Sequence, residues 1–165
     1  MTTAVKDANI IFDLFDINLL YIFFNLNFDV CITDFVLNEI KEPSQKEIID
    51  NFIIAGKLEL LETPKDEISK LTEIRDNFPG LTIADCSIIY HAKKNKAFIL
   101  TGDSALKNYA ESNKLEVHGI LWVLDELIRE GRITKKIANS KLTQLMEINS
   151  RLPKKECEKR LKNWS

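Results

Sequence analysis

Short apolar runs alternate with longer stretches of mixed apolar and polar residues along most of this chain. The short runs predict five β-strands, at residues 3–6, 30–33, 58–61, 97–100 and 115–117. The longer stretches place apolar residues at helical spacing. Strands that alternate with helices indicate a parallel sheet covered on both faces. The predicted fold class is therefore α/β, a three-layer α/β/α sandwich around a mostly parallel sheet of about five strands.

The helices that this pattern predicts are expected at residues 8–15, 19–26, 34–41, 45–55, 65–77, 82–94, 104–112, 120–130, 135–148 and 154–162. Gly56 and Gly131 stand directly after two of them, where a glycine commonly ends a helix. We expect a single domain over residues 1–165. Its core would span about 1–130, and a helical C-terminal extension about 131–165.

The overall charge changes this picture little, but its distribution is uneven. The 165 residues are 45% hydrophobic and carry a net charge of −2, so the whole fold is not a basic nucleic-acid binder. Residues 151–165 contain six basic and two acidic side chains, a local charge of +4. A mobile, solvated terminus is the default interpretation of such a segment, and RNA contact is the alternative.

The cysteines and the N-terminus point to an intracellular protein. Cys31, Cys86 and Cys157 are an odd number and far apart, so neither a zinc site nor a disulfide framework is expected. No signal-peptide pattern precedes the first strand. The most apolar stretch, residues 18–30, is too short and too often interrupted by polar residues to span a bilayer. We therefore expect a cytoplasmic location and no membrane.

Four acidic residues stand just past predicted strand ends: Asp7, Glu39, Asp85 and Asp103. The carboxyl ends of parallel strands meet at one edge of a sheet, where α/β proteins build their sites. Carboxylates gathered there repel one another unless a cation neutralises them, and Mg²⁺ or Mn²⁺ is the cation that such oxygen ligands favour. Each acid also has a structural interpretation. Asp7 and Asp103 could be helix N-caps, Asp85 part of a capping box with Thr82, and Glu39 a solvated helix residue.

The segments around these acids resemble the four acidic motifs of the PIN-domain nucleases in order and spacing. The segments are DANIIFDL, the distant Glu39, LTIADCSIIYHA and ILTGDSALKNYA, and the resemblance is closest to the VapC-like ribonucleases of prokaryotic toxin–antitoxin pairs. It covers roughly residues 3–119, and VHGILWVLDELIREGRIT is similar to the C-terminal extension of one subgroup. The resemblance implies a PIN-like fold and an endoribonuclease that depends on Mg²⁺ or Mn²⁺.

The resemblance also implies roles for particular residues. Asp7, Glu39, Asp85 and Asp103 would be the catalytic, metal-binding quartet. Thr101 matches a hydroxyl that hydrogen-bonds a ligand carboxylate, and Asn9 matches a common polar position. In this interpretation the metal activates a water that attacks the RNA phosphate in line. The expected partners are an RNA substrate, a cognate antitoxin and a second copy of the chain in a homodimer.

The sequence leaves the roles of several other residues, and other functions, open. Lys107 follows Asp103 by four residues on the same helix face and could guide RNA, whereas His91 and His118 are expected to be structural. The apolar residues 19–28 are either an interface or a buried helix. The alternatives to a toxin are a PIN-like protein-interaction module and a housekeeping RNA-processing nuclease that an antitoxin silences. A haloacid-dehalogenase phosphatase is disfavoured, because Asn9 stands where its second Asp is needed.

Overall fold

A five-stranded parallel sheet forms the centre of the molecule in a computed structural model that describes residues 2–165. The strands are β1 (Thr3–Lys6), β2 (Asp29–Thr33), β3 (Glu59–Leu61), β4 (Phe98–Leu100) and β5 (Val117–His118). Their order is β3-β2-β1-β4-β5, and each neighbouring pair is parallel. The chain thus starts in the middle strand, builds one half of the sheet and then crosses to the other. The predicted α/β fold class is confirmed.

Helices connect and cover these strands. They are α1 (Ala8–Asp16), α2 (Leu20–Phe23), α3 (Asp34–Glu39), α4 (Pro43–Ile54), α5 (Ile68–Asn77), α6 (Ile83–Asn95), α7 (Ser104–Ser112), α8 (Ile120–Arg129), α9 (Lys135–Ile148) and α10 (Lys154–Asn163). Parallel strands require crossover connections, and these helices provide them. The most enclosed is α6, which packs against β1, β2 and β4 and is buried continuously from Cys86 to Ala92.

Several predicted elements differ from the structure, among them α3, which ends two residues early, and α4, which begins two residues early. The helix expected at residues 19–26 is a single turn, α2, because Asn18 adopts a left-handed φ of 59° and the chain bends again after Phe23. Asn tolerates that conformation better than most residues. The helix expected at 65–77 begins as a 3₁₀ turn at Lys65–Glu67. The fifth strand lies at Val117–His118 rather than at 115–117.

The apolar residues between 19 and 28 lie mainly inside the protein. The buried ones are Leu19, Leu20, Phe23, Leu26 and Phe28. Phe23 and Phe28 stack edge to face, with ring centroids 6.0 Å apart. Tyr21 is the exception at 77% exposed, and its ring lies 5.2 Å from that of Phe52. The buried-helix interpretation therefore accounts for most of this segment, and only Tyr21 remains as a strongly exposed aromatic side chain within it.

The basic C-terminal segment is an ordered part of the fold. Helices α9 and α10 pack on each other, and Cys157 and Trp164 are buried. The default expectation of a mobile terminus was wrong, because these two side chains give α10 an apolar face to bury. All three cysteines are buried free thiols. Within residues 2–165 no helix is both long enough and apolar enough to cross a bilayer.

Candidate active site

Asp7 and Asp103 follow adjacent strands at the carboxyl edge of the sheet. β1 pairs with β4, with Lys6 opposite Leu100, and the Asp7 N–H donates to the Leu100 carbonyl at 3.1 Å. Each aspartate also begins a helix. The Asp7 carboxylate accepts from the Ile10 N–H at 3.2 Å, and that of Asp103 accepts from the Leu106 N–H at 2.8 Å. The pairing of β1 with β4 therefore brings together two acids that are distant in sequence.

Thr101 links these two aspartates. Its hydroxyl donates to Asp7 Oδ2 at 2.5 Å and accepts from the Asp103 N–H at 3.0 Å. The side chain is buried, at 3% exposure, so solvent does not compete for these bonds. The resemblance implied that Thr101 bonds a ligand carboxylate, and in the structure it bonds Asp7. Thr101 thus fixes the orientation of Asp7 and connects it to the backbone of Asp103.

Asp85 and Glu39 reach the same edge from two helices. Asp85 lies in the first turn of α6 and forms a reciprocal capping box with Thr82, with bonds of 3.0 and 3.1 Å. Glu39 is the last residue of α3, which follows β2 and packs against α6. Its carboxylate accepts no hydrogen bond from any residue between 2 and 165. These two acids are therefore held by helix position more than by hydrogen bonds to strands.

All four acids line one open cavity of about 340 Å³. Asn9 lines it too, as the resemblance implied. Apolar side chains form part of its wall: Ala8, Phe12, Val36, Ile40, Ala84 and Ile88. A mainly acidic cavity with apolar walls at the carboxyl edge of a parallel sheet is where an α/β protein is expected to bind a ligand.

Burial raises the pKa values of Asp7, Glu39 and Asp85, and a neighbouring carboxylate adds to the rise for Glu39 and Asp85. The pKa of Asp7 is raised chiefly by burial, against the lowering effect of the Thr101 hydroxyl. Burial and then the charge of Asp85 raise the pKa of Glu39. Burial is also the main cause of the raised pKa of Asp85, with Asp103 adding repulsion. Glu39 and Asp85, and likewise Asp85 and Asp103, therefore repel each other electrostatically across the cavity. A positive charge placed among them would relieve this repulsion.

The carboxylates are directed toward helix caps and do not surround a common point. Among residues 2–165, no three His, Cys, Asp or Glu side chains are grouped closely enough to hold one ion as placed. Three of the four acids use an oxygen in a cap: Asp7, Asp85 and Asp103. The structural interpretations of these three are thus correct in geometry, and they coexist with the shared cavity.

Lys6 is a buried cation directly before Asp7. Its side chain is fully buried, and Nζ has no hydrogen-bond partner in the described residues. Burial lowers the pKa of Lys6 to about 7, while the negative charge of Asp7 opposes that shift. Lys6 is the last residue of a strand and is followed by the acidic Asp7, a position where a lysine is usually exposed. The sequence pattern therefore does not distinguish it from the exposed lysines of the chain.

Two polar residues of the cavity, Lys41 and Gln45, were not predicted from the sequence, and the predicted Lys107 lies outside the cavity. Lys41 and Gln45 line the cavity beside the acids, and Lys41 is the cationic residue of its lining. Nearness to Glu39 in sequence is the one signal for Lys41, and it does not separate Lys41 from an ordinary surface lysine. Lys107 is exposed on α7 and does not line the cavity. His91 is buried, and its Nε2 forms a 3.0 Å hydrogen bond with Thr63 Oγ1, as fits a structural histidine.

The fold and the site together define a class of α/β protein, one with several acidic side chains at the carboxyl ends of its central parallel strands. The chain belongs to the PIN domain family: a family model described as a PIN domain, DUF3368, matches residues 3–165. The family resemblance inferred from the motifs is thereby confirmed. PIN domains are in general nucleases that use divalent metal ions. No curated protein matches the chain.

Two solved structures are similar to it at low sequence identity. One is VapBC2 from Rickettsia felis bound to a DNA fragment from their promoter, with 19% identity, a TM-score of 0.47, and coverage of 72% of this chain and 98% of that one. The other is a toxin–antitoxin complex from Klebsiella pneumoniae, with 16% identity, a TM-score of 0.44, and coverage of 61% and 87%. The family assignment rests on the family model.

Proposed function

We propose that the protein is a Mg²⁺- or Mn²⁺-dependent endoribonuclease, with Asp7, Glu39, Asp85 and Asp103 as its metal-binding and catalytic quartet. One observation carries this proposal. Four carboxylates from four separate segments line a single cavity at the carboxyl edge of the sheet. Helix capping explains three of them one at a time, but it does not explain why all three line the same cavity or why Glu39 lines it too.

The side chains present suit a hard divalent cation. All four acids offer oxygen ligands, which Mg²⁺ and Mn²⁺ prefer. The raised pKa values of Asp7, Glu39 and Asp85 reflect burial, and for Glu39 and Asp85 a neighbouring carboxylate as well. Capping uses Oδ1 of Asp103 and Oδ2 of Asp85, which leaves the other oxygen of each carboxylate available.

The two acids that follow strands, Asp7 and Asp103, are called the inner acids, and the two that lie on helices, Asp85 and Glu39, the outer acids. The two pairs would have different tasks. Asp7 and Asp103, joined by Thr101, would hold the cation at a fixed point over β1 and β4. Asp85 would complete its ligands, and Glu39 would complete them or orient the attacking water. Lys41 would bind a non-bridging oxygen of the scissile phosphate. The bound cation supplies a Lewis acid that activates water and neutralises charge on the phosphate.

The reaction that these residues support is hydrolysis of one phosphodiester bond. Water attacks phosphorus in line, the bond from phosphorus to the 3′ oxygen breaks, and that oxygen takes up a proton. The products carry a 5′-phosphate and a 3′-hydroxyl. His91 lies outside the cavity lining, in a hydrogen bond with Thr63, so the proposal uses no histidine base.

The motif resemblance further supports a role as the toxin of a toxin–antitoxin pair. In that role a cognate antitoxin would silence the enzyme, and a homodimer is the expected assembly. The strongly exposed Tyr21 and Ile54, at 77% and 83%, are the side chains that such contacts would cover. The alternatives are a housekeeping RNA-processing nuclease and a PIN-like interaction module that does not cleave RNA. A gene for a small DNA-binding partner beside this one would favour the toxin.

The test is cleavage of single-stranded and structured RNA by the purified protein freed of any partner. Cleavage is expected with Mn²⁺ or Mg²⁺, is expected to stop in EDTA, and should leave 5′-phosphate ends. Cleavage that persists in EDTA, or that leaves 2′,3′-cyclic phosphates, would contradict the proposal. Absence of cleavage with either metal on every RNA would favour the interaction module.

A further inference from the structure

Charge is divided sharply between the C-terminal helices and the rest of the chain. Residues 134–165 contain nine basic and three acidic side chains, a balance of +6. The total charge is −2, so residues 1–133 carry −8. Negative phosphates would be repelled by the main body of the protein and attracted to this one unit. The phosphates of an RNA backbone would therefore be drawn to α9 and α10 rather than to the rest of the chain.

Three lysines form a stripe along the exposed side of α10. Lys155, Lys159 and Lys162 are spaced i, i+4 and i+7, so they lie on one face of the helix, and all three are exposed. The buried Cys157 and Trp164 occupy the opposite side. None of the three lysines forms an ion pair within residues 2–165. Glu158 shares this face, three residues after Lys155 and four before Lys162, so the face carries a net charge of +2.

The helix that carries this stripe is bonded to two neighbouring helices. Arg160 forms a forked ion pair with Asp125 of α8, with Nη2 2.8 Å and Nε 3.1 Å from Oδ2. The Asn139 side chain on α9 donates to the Leu161 carbonyl at 2.9 Å. Bidentate arginine pairs fix orientation as well as distance. The lysines therefore project from a helix that is fastened to two others, which lowers the entropy lost when they bind a ligand.

The turn before α10 is connected to the helix that begins at the acidic edge. The Asn149 side chain donates to Asp13 Oδ2 at 3.1 Å, and the exposed Arg151 donates its N–H to Asn149 Oδ1 at 2.9 Å. Asp13 lies six residues after Asp7 on α1, about 9 Å along the helix axis. A polynucleotide is long enough to cover such a distance with a few nucleotides, so one strand could contact both regions.

We infer that the Lys155–Lys159–Lys162 stripe, with Arg151 at its near end, binds the phosphate backbone of single-stranded RNA beside the cleavage site. This inference rests on the proposed function, because it assigns the stripe to that substrate. Lysine is a point-charge ligand for phosphate and is depleted in protein–protein interfaces. The stripe also contains no apolar side chain, which favours RNA over a protein partner.

The test compares two triple variants that remove the same charge. One is Lys155→Gln, Lys159→Gln and Lys162→Gln, and the control is Lys57→Gln, Lys93→Gln and Lys96→Gln. The control lysines are also exposed and outside the ion pairs of residues 2–165, but they lie near the amino ends of β3 and β4. Binding of a labelled single-stranded RNA of about 15 nucleotides is followed by fluorescence anisotropy in EDTA, where no cleavage occurs.

The stripe variant should bind RNA about tenfold more weakly or worse at low salt. Its plot of log affinity against log salt should be shallower by about 2, since each lost phosphate contact removes about 0.7 from the slope. The control should keep the wild-type slope. With metal present, the stripe variant should show a raised KM and an unchanged kcat.

Equal losses in both variants, or none in the stripe variant, would overturn the inference. An unchanged RNA affinity together with lost binding of an acidic protein would overturn it as well and would identify that partner. The failure of the nuclease proposal has a different signature. In that case the wild type would not cleave RNA in metal, while RNA binding in EDTA would still depend on the stripe.

Discussion

The inner and outer halves of the acidic cavity are built differently. Asp7 and Asp103 stand at the ends of paired strands, and the buried Thr101 hydroxyl connects them. Glu39 and Asp85 stand on α3 and α6, and Glu39 accepts no hydrogen bond in the described part of the chain. Sheet pairing thus fixes one half, and helix packing positions the other. If the proposed function holds, we expect the inner half to set where a cation binds and the outer half to adjust how the reaction proceeds.

The largest effect is expected from neutralising an inner acid. Asp7→Asn or Asp103→Asn should reduce RNA cleavage by a factor on the order of 10³ or more, because residues that act as one unit are lost together. Asn caps a helix about as well as Asp, so the melting temperature should stay the same or rise. Asp76→Asn, an exposed acid on α5, is the control in the kinetic assay. Equal activity in Asp7→Asn and wild type would show that Asp7 serves only as the N-cap of α1.

The second prediction concerns the buried cation behind the inner half. Burial lowers the pKa of Lys6 from 10.5, the ordinary value of a lysine, to about 7 in the fold. Below pH 7 it is protonated in both states, so the fold bears the full cost of burying a charge. That cost shrinks as pH rises from 7 to 10.5. Lys6→Met should therefore raise the free energy of unfolding by about 3 kcal/mol at pH 6. Urea unfolding at pH 6 and pH 10 checks this, and a gain that does not shrink at pH 10 would refute it.

Thr101 offers a test of whether the link between the inner acids matters. Thr101→Val keeps the shape but leaves an oxygen of Asp7 without its donor, so cleavage should fall by about 10–100-fold, as for other groups that orient metal ligands. Thr101→Ser keeps the hydroxyl and should recover most of the activity. The comparison is made at saturating RNA and across a Mn²⁺ titration. If Ser and Val variants were equally impaired, packing rather than the hydrogen bond would explain the loss.

The smallest effect should come from the outer half. Glu39→Gln removes a charge that no hydrogen bond supports, and we expect a loss of about tenfold in cleavage, within the range seen for residues that assist ligands. A loss as large as that of Asp7→Asn would mean that the two halves are not distinct.

The amino-acid pattern predicted the sheet and the convergence of the acids for clear physical reasons. Short apolar strands flanked by helices allow few topologies, and in a parallel sheet the residues after β1 and β4 share one edge. Asp7 and Asp103 could therefore be brought together from spacing alone. The family model confirms the PIN resemblance, whereas the catalytic roles remain predictions.

Other features depend on tertiary contacts that the pattern does not encode. The helix expected at 19–26 shrank to one turn because its apolar residues are buried around a bend at Asn18 rather than along one helix face. Lys6 and Lys41 look like any surface lysine in sequence, yet one is fully buried and the other lines the cavity. Only the packing of α3, α6 and the strands distinguishes them.

Direct binding of Mn²⁺ is the measurement that tests the central claim, that four carboxylates form one cation site. Free Mn²⁺ is followed by electron paramagnetic resonance during titration of the wild type, the Asp7→Asn/Asp103→Asn double variant and the control Asp66→Asn/Asp76→Asn. The wild type and the control should bind Mn²⁺ and gain thermal stability from it, whereas the Asp7→Asn/Asp103→Asn variant should do neither. Equal Mn²⁺ binding by all three proteins, or no binding by the wild type at millimolar Mn²⁺, would contradict the account.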